Sequence, residues 1–207
     1  MNGATTNSQF RVLCFEFWVS QLKTRNPKPK TFKHLQHEIH NVLEQFRAVE
    51  TFIFDVDGVL TDNRLLVMEN GDLLRTMHCR DGEAMRRAIR LGYRVAIITG
   101  MRSPGVVKRL EYLGIPDALI LRDITNKLEA FEDLCHDFTI DPKTTLYMGD
   151  DVPDVAVMRR VGLPVCPFDA VPEVVAVSQY VSPLVGGAGC VRDVMEKVMK
   201  LQAKWPF

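Results

Sequence analysis

The chain has 207 residues, of which 46% are apolar, 26 are basic and 26 are acidic. This length and composition predict one globular domain with a buried core. The charge balance excludes the strongly positive surface of a protein that binds nucleic acid or an anionic membrane, so we expect neither partner. The five cysteines are scattered without a Cys-x-x-Cys pair, which favours a reducing, cytoplasmic location over a disulfide framework or a zinc site.

Residues 1–30 are predicted to be a flexible N-terminal extension that precedes a domain at residues 31–207. Arg11 and Glu16 interrupt the apolar run at residues 10–19, so this run is too short to span a membrane, and it lacks the flanks of a signal peptide. The run could be an added edge strand, a docking segment or translated sequence upstream of the true start. The sequence leaves these three alternatives open.

The rest of the chain alternates between apolar runs typical of buried strands and amphipathic segments typical of helices. Asn70-Gly71 lies between two apolar segments and predicts a hairpin. This alternation predicts an α/β fold, a doubly wound, Rossmann-like parallel sheet with helices on both faces and a protruding β-hairpin. The predicted strands cover residues 51–54, 94–98, 118–121, 145–148, 164–166 and 180–181, the hairpin arms cover 65–68 and 73–77, and the helices begin at Thr31, Asp81, Ser103, Asn126, Pro153 and Val191.

Two acids follow the first predicted strand. Asp55 and Asp57 are two residues apart, so we expect both side chains to point the same way at the carboxyl end of the strand. Open α/β sheets bind their ligands at this edge, and Mg²⁺ prefers oxygen ligands. Gly58 allows the backbone to turn sharply beside a ligand. The pattern therefore favours a magnesium site over a solvated acidic loop.

Further reactive groups are expected at three more strand ends. Thr99 follows one strand, Lys127 begins the helix after another, and Asp150 follows a third, with Asp154 four residues later. Taken singly, Thr99 could be a helix cap and Lys127 a solvated side chain. Together with the first pair of acids, the series resembles the haloacid dehalogenase superfamily of phosphatases, from about residue 49 to the C-terminal helix. The four matching motifs are Asp55-Val-Asp-Gly-Val-Leu-Thr61, Ile97-Ile-Thr-Gly100, Lys127 and Gly149-Asp-Asp-Val-Pro-Asp154.

This resemblance implies an enzyme, a Mg²⁺-dependent phosphoric monoester hydrolase. Asp55 would be the nucleophile and Asp57 the general acid and base. The metal would be held by Asp55, Asp150 and the backbone carbonyl of Asp57. Lys127 and Thr99 would stabilise the phosphoryl group, completing the catalytic set. Asp154 could support the metal site or lie in a first helical turn, where acids are favourable.

Many members of this superfamily close the site with an inserted cap domain. Here residues 62–94 and 101–126 are too short to hold one, so we expect an open site. Such a site suits a bulky phosphate, or it is covered by another subunit. Because a two-stranded hairpin is marginally stable alone, we expect it to pack against copies of itself in a homo-oligomer.

Within the capless branch, the chain looks like the 3-deoxy-D-manno-octulosonate 8-phosphate (KDO 8-phosphate) phosphatases. The motifs that carry this likeness are His78-Cys-Arg-Asp-Gly82, Asn126-Lys-Leu128 and Gly186-Gly-Ala-Gly-Cys-Val-Arg192. The likeness implies a small-molecule sugar-acid phosphate as substrate, a homotetramer whose hairpins pack together, and a flexible glycine run that covers a neighbouring site. The implied substrate-binding residues are Asp57, His78, Arg80, Asp81, Gly82, Arg86, Gly100, Arg109 and Lys127.

Arginines are the residues of this set that would hold the substrate's carboxylate or phosphate, because a guanidinium group binds such anions bidentately. Arg86 and Arg109 could equally be surface residues of amphipathic helices. One position departs from the family pattern: Met101 stands where an arginine usually follows the Thr-Gly pair, and Arg102 comes next. Either Arg102 takes over that role or the substrate differs.

The sequence therefore leaves three alternatives to the octulosonate substrate. The first is a phosphatase of nonulosonate 9-phosphates. The second is a non-catalytic oligomerising module like the C-terminal domain of acylneuraminate cytidylyltransferases, against which the intact acids argue. The third is a protein or nucleotide phosphatase with an open site, which a monomeric state would favour.

Overall fold

The structure is a computed structural model that describes residues 41–205. The predicted extension, the domain boundary at residue 31 and the helix start at Thr31 lie outside the described residues. Residues 41–48 are helical, and the described residues from Gln45 onward belong to one compact unit. Within the described ranges, no helix combines the length and the apolar character needed to cross a membrane.

Eight strands within residues 41–205 confirm the predicted α/β architecture. Their bounds are β1 (Thr51–Phe54), β2 (Leu66–Val67), β3 (Leu73–Leu74), β4 (Arg94–Ile98), β5 (Ile120–Leu121), β6 (Thr145–Met148), β7 (Leu163–Cys166) and β8 (Tyr180–Val181). Six of them form a parallel sheet of order β5-β4-β1-β6-β7-β8, and β2 and β3 form a separate antiparallel hairpin. The three apolar residues of β1 are completely buried, as expected for the central strand of a parallel sheet.

The chain reverses its direction across the sheet at β1. It first moves outward through β4 to β5 and then returns to β6 on the other side of β1. Because parallel crossovers are right-handed, this reversal distributes the helices over both faces. Ligands of doubly wound sheets bind outside the carboxyl ends of the strands at such a reversal. The topology therefore predicts a ligand site at the residues that follow β1 and β6.

After the helical residues 41–48, the described residues contain six helices, and all but one of them agree with the sequence prediction apart from some boundaries. They are α1 (Cys79–Arg90), α2 (Pro104–Tyr112), α3 (Lys127–Asp137), α4 (Val155–Met158), α5 (Pro172–Val177) and α6 (Cys190–Leu201), with 3-10 turns at Asp117–Leu119, Pro142–Thr144 and Val152–Asp154. The predicted cap of α1 is wrong, because Asp81 lies inside the first turn and His78 occupies the N-cap position. The sequence did not predict α5, since this helix is short and rich in β-branched valine, a residue typical of strands.

The described chain has no cap domain between β1 and β4 or between β4 and β6. The first interval holds the hairpin and α1, and the second holds α2, a 3-10 turn, β5, α3 and a second turn. The hairpin exposes apolar side chains: Leu66 is 62% exposed and Val67 is 67% exposed.

Candidate active site

Three buried carboxylates meet where β1 and β6 end. These two strands pair in register, so the residues that follow them, Asp55 and Asp150, are carried to the same edge of the sheet. Asp154, in the 3-10 turn after β6, joins them, and one carboxylate oxygen from each residue lies within 4.8 Å of the others. Asp55 and Asp150 are each 7% exposed and Asp154 is fully buried. This acid cluster lies at the reversal point of the sheet.

Lys127 lies against the acid cluster. Its Nζ is 2.7 Å from Asp55 Oδ2 and 2.7 Å from Asp154 Oδ1, and the residue is 8% exposed. Asn126 fixes the start of α3 by accepting a hydrogen bond from the Glu129 N–H. Burial alone would lower the pKa of Lys127, but the charges of Asp55 and Asp154 outweigh burial and raise this pKa. The solvated-lysine alternative is therefore wrong.

Asp154 has hydrogen bonds at both of its carboxylate oxygens. Its Oδ1 accepts from Lys127 Nζ at 2.7 Å and from the Tyr147 hydroxyl at 2.6 Å. Its Oδ2 accepts from the backbone N–H groups of Asp150, at 3.1 Å, and Asp151, at 3.3 Å. Asp154 thus lies in a first helical turn and also supports the site, which joins the two roles that the sequence left open. It holds Lys127 and the loop that carries Asp150.

The side chain of Asp150 has the weakest hydrogen bonding in the acid cluster. Its Oδ1 is buried without a hydrogen-bond partner among the described residues, and its Oδ2 accepts only a long contact of 3.4 Å from Asn63 Nδ2. Burial and the charge of Asp55 raise the pKa of Asp150 to about 8, and burial and the charge of Asp154 raise the pKa of Asp55 to about 6. A cation between Asp55 and Asp150 would relieve both effects, and the oxygen-only donor set suits Mg²⁺.

Asp57 has a different partner from Asp55. Arg75 Nε donates to Asp57 Oδ1 at 2.7 Å, Arg75 NH2 donates to Oδ2 at 3.0 Å, and the Thr61 hydroxyl donates to Oδ1 at 3.3 Å. The acid cluster contains Asp55 but not the side chain of Asp57, so these two carboxylates have different partners. The sequence carried no signal for Arg75, because its contact depends on how the hairpin folds back.

Thr99 and the residues after it form the loop beyond β4. Thr99 is 2% exposed, and its hydroxyl accepts a hydrogen bond from the Met101 N–H at 3.3 Å, so it does not cap a helix. A Cβ at Gly100 would lie 3.3 Å from the Ile124 carbonyl oxygen. The Arg102 side chain is 81% exposed and is 3.1 Å from Asp123.

Two of the substrate-binding residues predicted on α1 and α2 lie beside one exposed ring, that of Tyr112. The guanidinium carbons of Arg86 and Arg109 lie 5.1 and 5.8 Å from the centre of the Tyr112 ring. A Cβ at Gly82 would lie 2.9 Å from Arg109 NH2, so glycine permits the close approach of the two helices. Arg80 is exposed at the start of α1. The structure therefore brings Arg86 and Arg109 together.

The glycine run at residues 186–189 packs against its own chain. The Gly187 N–H donates to the Val59 carbonyl at 3.0 Å, and a Cβ at Gly186 would lie 2.0 Å from the Gly58 carbonyl oxygen. This placement differs from the expected flexible lid, because backbone contacts fix the run beside the loop that follows Asp57.

His78 and Asp81 lie together near the glycine run. His78 Nδ1 is 3.9 Å from Asp81 Oδ2, and both atoms lack a hydrogen-bond partner within residues 41–205. Asp81 Oδ1 accepts from the Arg192 N–H at 2.7 Å, and burial raises the pKa of Asp81. The predicted residue Asp81 therefore joins the start of α1 to the start of α6, and the predicted residue His78 lies beside it.

The sheet topology and the acid cluster define a haloacid dehalogenase-like hydrolase, and the family model of that description matches residues 118–189. The chain is 37% identical to the 3-deoxy-D-manno-octulosonate 8-phosphate phosphatase KdsC of Escherichia coli K12 over 164 residues, which are 79% of this chain and 86% of that enzyme. The chain belongs to the family of these phosphatases and is a phosphoric monoester hydrolase.

Solved structures of the same family have the same fold. The 3-deoxy-D-manno-octulosonate 8-phosphate phosphatase of Yersinia pestis is 34% identical, with a TM-score of 0.76 over 79% of this chain and 88% of that chain. The enzyme of Moraxella catarrhalis, in complex with a magnesium ion, a phosphate ion and KDO, is 30% identical, with a TM-score of 0.76 over 80% of this chain and 94% of that chain.

Proposed function

We propose that this chain hydrolyses 3-deoxy-D-manno-octulosonate 8-phosphate through an aspartyl-phosphate intermediate, with Mg²⁺ as cofactor. One observation carries the proposal: Asp55, Lys127 and Asp150 meet at the carboxyl edge of the sheet in a chain 37% identical to an enzyme of that name. Phosphoryl transfer to a carboxylate requires a buried carboxylate, a fixed ammonium group and acidic metal ligands.

Asp55 is the proposed nucleophile. Its carboxylate oxygen forms a bond to phosphorus while the bond between phosphorus and the sugar oxygen breaks, and Asp57 gives a proton to the departing alkoxide. Asp57 then takes a proton from the water that attacks phosphorus, which releases inorganic phosphate and regenerates the Asp55 carboxylate. The proton that Asp57 lost in the first step is recovered in the second, so the enzyme returns to its starting state.

Lys127 and Thr99 are the proposed stabilisers of the phosphoryl group. Lys127 Nζ, 2.7 Å from Asp55 Oδ2, places a positive charge where negative charge develops on the phosphoryl oxygens. Its second contact, to Asp154, holds the ammonium group before the substrate arrives, so little reorganisation is needed. The buried Thr99 hydroxyl, at the end of the neighbouring strand β4, is the proposed hydrogen-bond donor.

Asp55 and Asp150 would hold the magnesium ion, together with the backbone carbonyl of Asp57. The unpartnered Asp150 Oδ1 supports this proposal, and the hydrogen bonds at both oxygens of Asp154 favour a supporting role for that residue. Bound there, the ion neutralises the carboxylates and offsets their repulsion of the substrate phosphate. The magnesium ion in the homologous M. catarrhalis structure is consistent with this proposal.

The metal site predicts a specific pH dependence of stability. The folded protein holds protons on Asp55 up to a pKa of about 6 and on Asp150 up to about 8, whereas the ordinary value is 3.8. The metal-free protein therefore loses unfolding free energy as pH rises from about 4 to about 8. Mg²⁺ binds the ionised carboxylates, so the rise in melting temperature that it causes should grow over the same range.

Thermal unfolding in excess Mg²⁺ and in excess chelator, measured across this pH range, tests the expectation. Other groups, such as Asp81, affect both curves equally and cancel in the difference between them. Asp150→Asn removes one ligand and should abolish most of that difference at every pH. A magnesium-induced shift that is constant with pH, or largest in acid, would contradict the assignment.

The proposed binding site for the substrate's carboxylate is formed by arginines of α1 and α2. Arg86 and Arg109 come together at the Tyr112 ring, and Arg80 is exposed nearby in sequence. Guanidinium groups of this kind bind carboxylates bidentately. The proposed site is completed by His78, Asp81, Gly82 and Gly100.

The proposed assembly is a homotetramer formed through the β2–β3 hairpin. On the hairpin, the exposed fractions of Leu66, Val67 and Leu74 are 62%, 67% and 48%. A two-stranded hairpin is marginally stable alone, and an exposed apolar patch of this kind typically marks a surface that contacts a partner. Contact between copies would cover this surface. In a capless enzyme, contact between copies would also limit access of water to the site.

A second candidate substrate is a nonulosonate 9-phosphate. The observation that favours it lies in the loop after β4, where the side chain of Arg102 points to Asp123 and is 81% exposed, while Met101 is 8% exposed. This placement supports the alternative in which Arg102 does not take over the role of the guanidinium group that the family usually carries at position 101. A neutral side chain there alters the polar contacts offered to a sugar acid.

A panel of phosphate esters distinguishes the candidates. Phosphate release should be measured with and without Mg²⁺ on octulosonate 8-phosphate, nonulosonate 9-phosphates, hexose phosphates, a nucleotide and a phosphopeptide, and the particle mass should be measured in the same buffer. We expect the octulosonate ester to give the highest kcat/KM, with four chains in each particle. A monomer that prefers the nucleotide or the phosphopeptide would refute the proposal.

A further inference from the structure

The contact between Arg75 and Asp57 is more constrained than a surface ion pair. Arg75 lies directly after β3 of the hairpin, and its side chain is 6% exposed, while that of Asp57 is 31% exposed. The two Arg75–Asp57 hydrogen bonds, of 2.7 and 3.0 Å, run from Nε and NH2 to the two oxygens of one carboxylate. This bidentate geometry fixes the plane of the carboxylate as well as its position.

Arg75 is not placed to bind substrate. Its guanidinium group uses Nε and NH2 on Asp57, and its NH1 donates to the Leu73 carbonyl at 3.5 Å. Little of the side chain reaches solvent, whereas nearly a third of the Asp57 side chain does. The exposed partner is therefore the one that meets a ligand, and Arg75 acts behind it.

The two carboxylate oxygens of Asp57 differ in how many further hydrogen bonds they can accept. Oδ1 accepts from Arg75 Nε at 2.7 Å and lies 3.3 Å from the Thr61 hydroxyl, whose one proton is shared between Oδ1 and the Val56 carbonyl at 3.4 Å, so Oδ1 is the more crowded of the two oxygens. Oδ2 accepts only from Arg75 NH2 in the described chain, which leaves one lone pair for a proton. The geometry therefore distinguishes one oxygen as the site of proton exchange.

We propose that Arg75 is the positioning residue of the general acid and base, and that it orients Asp57 so that Oδ2 exchanges the proton with the leaving sugar oxygen and with water. The inference rests on the proposed function. General acid catalysis requires hydrogen-bond reach to the reacting oxygen, and a free aspartate side chain can adopt several rotamers. Because Arg75 belongs to the hairpin, the orientation of Asp57 depends on the hairpin being in place.

Substrates with different leaving groups separate this role from a general structural one. A sugar alkoxide needs a proton to depart, whereas p-nitrophenolate does not. The quantity kcat/KM reports only the steps up to release of the alcohol, so it isolates the acid step. Arg75→Met should lower kcat/KM for the sugar-acid phosphate by about tenfold to a hundredfold and leave kcat/KM for p-nitrophenyl phosphate within about threefold.

Three further variants complete the test. Compared with Arg75→Met, Arg75→Lys should keep much of the activity, because lysine supplies one charged hydrogen-bond donor. Arg90 is an exposed residue of α1, so Arg90→Met is the matched control and should leave activity unchanged. In an Asp57→Asn background, Arg75→Met should add less than about threefold, because both changes remove one function. Equal losses on both substrates, or additive losses in the double variant, would overturn the inference, and the neutral Arg75→Gln gives the same comparison if Arg75→Met does not fold.

Failure of the proposed function gives a different result. If the wild type hydrolyses another alkyl phosphate but no sugar-acid phosphate, the proposed substrate is wrong, and the leaving-group comparison is made with that ester. If the wild type hydrolyses p-nitrophenyl phosphate but no alkyl phosphate at all, then acid catalysis by Asp57 and its positioning by Arg75 are both wrong.

Discussion

Asp55→Asn should reduce kcat by roughly 10⁴-fold or more while the protein stays folded. The amide has the same shape as the carboxylate but cannot attack phosphorus, and the loss of a nucleophile removes the covalent route altogether. Folding should survive, because the carboxylate is buried and repelled by Asp154, and its replacement relieves that repulsion. Lys127 keeps its contact with Asp154. Steady-state phosphate release and thermal unfolding measure the two effects.

The covalent intermediate gives a more direct test of Asp55. Mass spectrometry of acid-quenched enzyme should find a phosphorylated peptide containing residue 55 in the wild type, and more of it in Asp57→Asn, which lacks the base for the second step. Asp55→Ala excludes the slow return of Asn to Asp by deamidation. Asp133→Asn, an exposed residue of α3, is the matched control and should be fully active. Full activity of Asp55→Ala, or a phosphorylated peptide elsewhere in the chain, would contradict the mechanism.

The position of the acid cluster could be predicted from the sequence because it depends on local signals. A buried apolar run marks each strand, and the residues that follow such a run must lie at the carboxyl edge of a parallel sheet. This reasoning predicts Asp55 and Asp150 at the carboxyl ends of their strands, whereas the adjacency of β1 and β6 is seen only in the structure. It placed Lys127 equally well, because a helix start after a strand lies at the same edge.

Features that depend on side-chain contacts between distant segments could not be predicted. The contact between Arg75 and Asp57 spans 18 residues and exists only because the hairpin folds back over the loop after β1. The glycine run lies more than a hundred residues from the Val59 carbonyl to which it is bound, so composition alone indicated flexibility instead of packing. Asp81 was predicted as a helix cap from its residue type, but its hydrogen bond to the Arg192 N–H draws it inside the fold.

Gly58→Ala should lower kcat by on the order of 10²-fold or more, although it adds only one methyl group outside the reacting residues. Gly58 has φ = +80°, and a Cβ there would lie 1.9 Å from Asp150 Oδ2 and 2.2 Å from its Cγ. The methyl group can fit only if the Asp150 carboxylate or the loop after Asp57 moves. Either movement separates the proposed metal ligands, so the magnesium-induced rise in melting temperature should fall together with activity.

Gly92→Ala separates collision from backbone strain. Gly92, in the turn between α1 and β4, also has a left-handed φ, of +87°, but a Cβ there meets nothing within 4 Å. Gly92→Ala should carry only the backbone cost of a left-handed alanine, about 1–2 kcal/mol, and keep its magnesium response. Because both substitutions carry this backbone cost, the difference between their activities reports the collision with Asp150. Equal losses of activity in Gly58→Ala and Gly92→Ala would show that the close approach of the first loop to Asp150 does not limit the reaction.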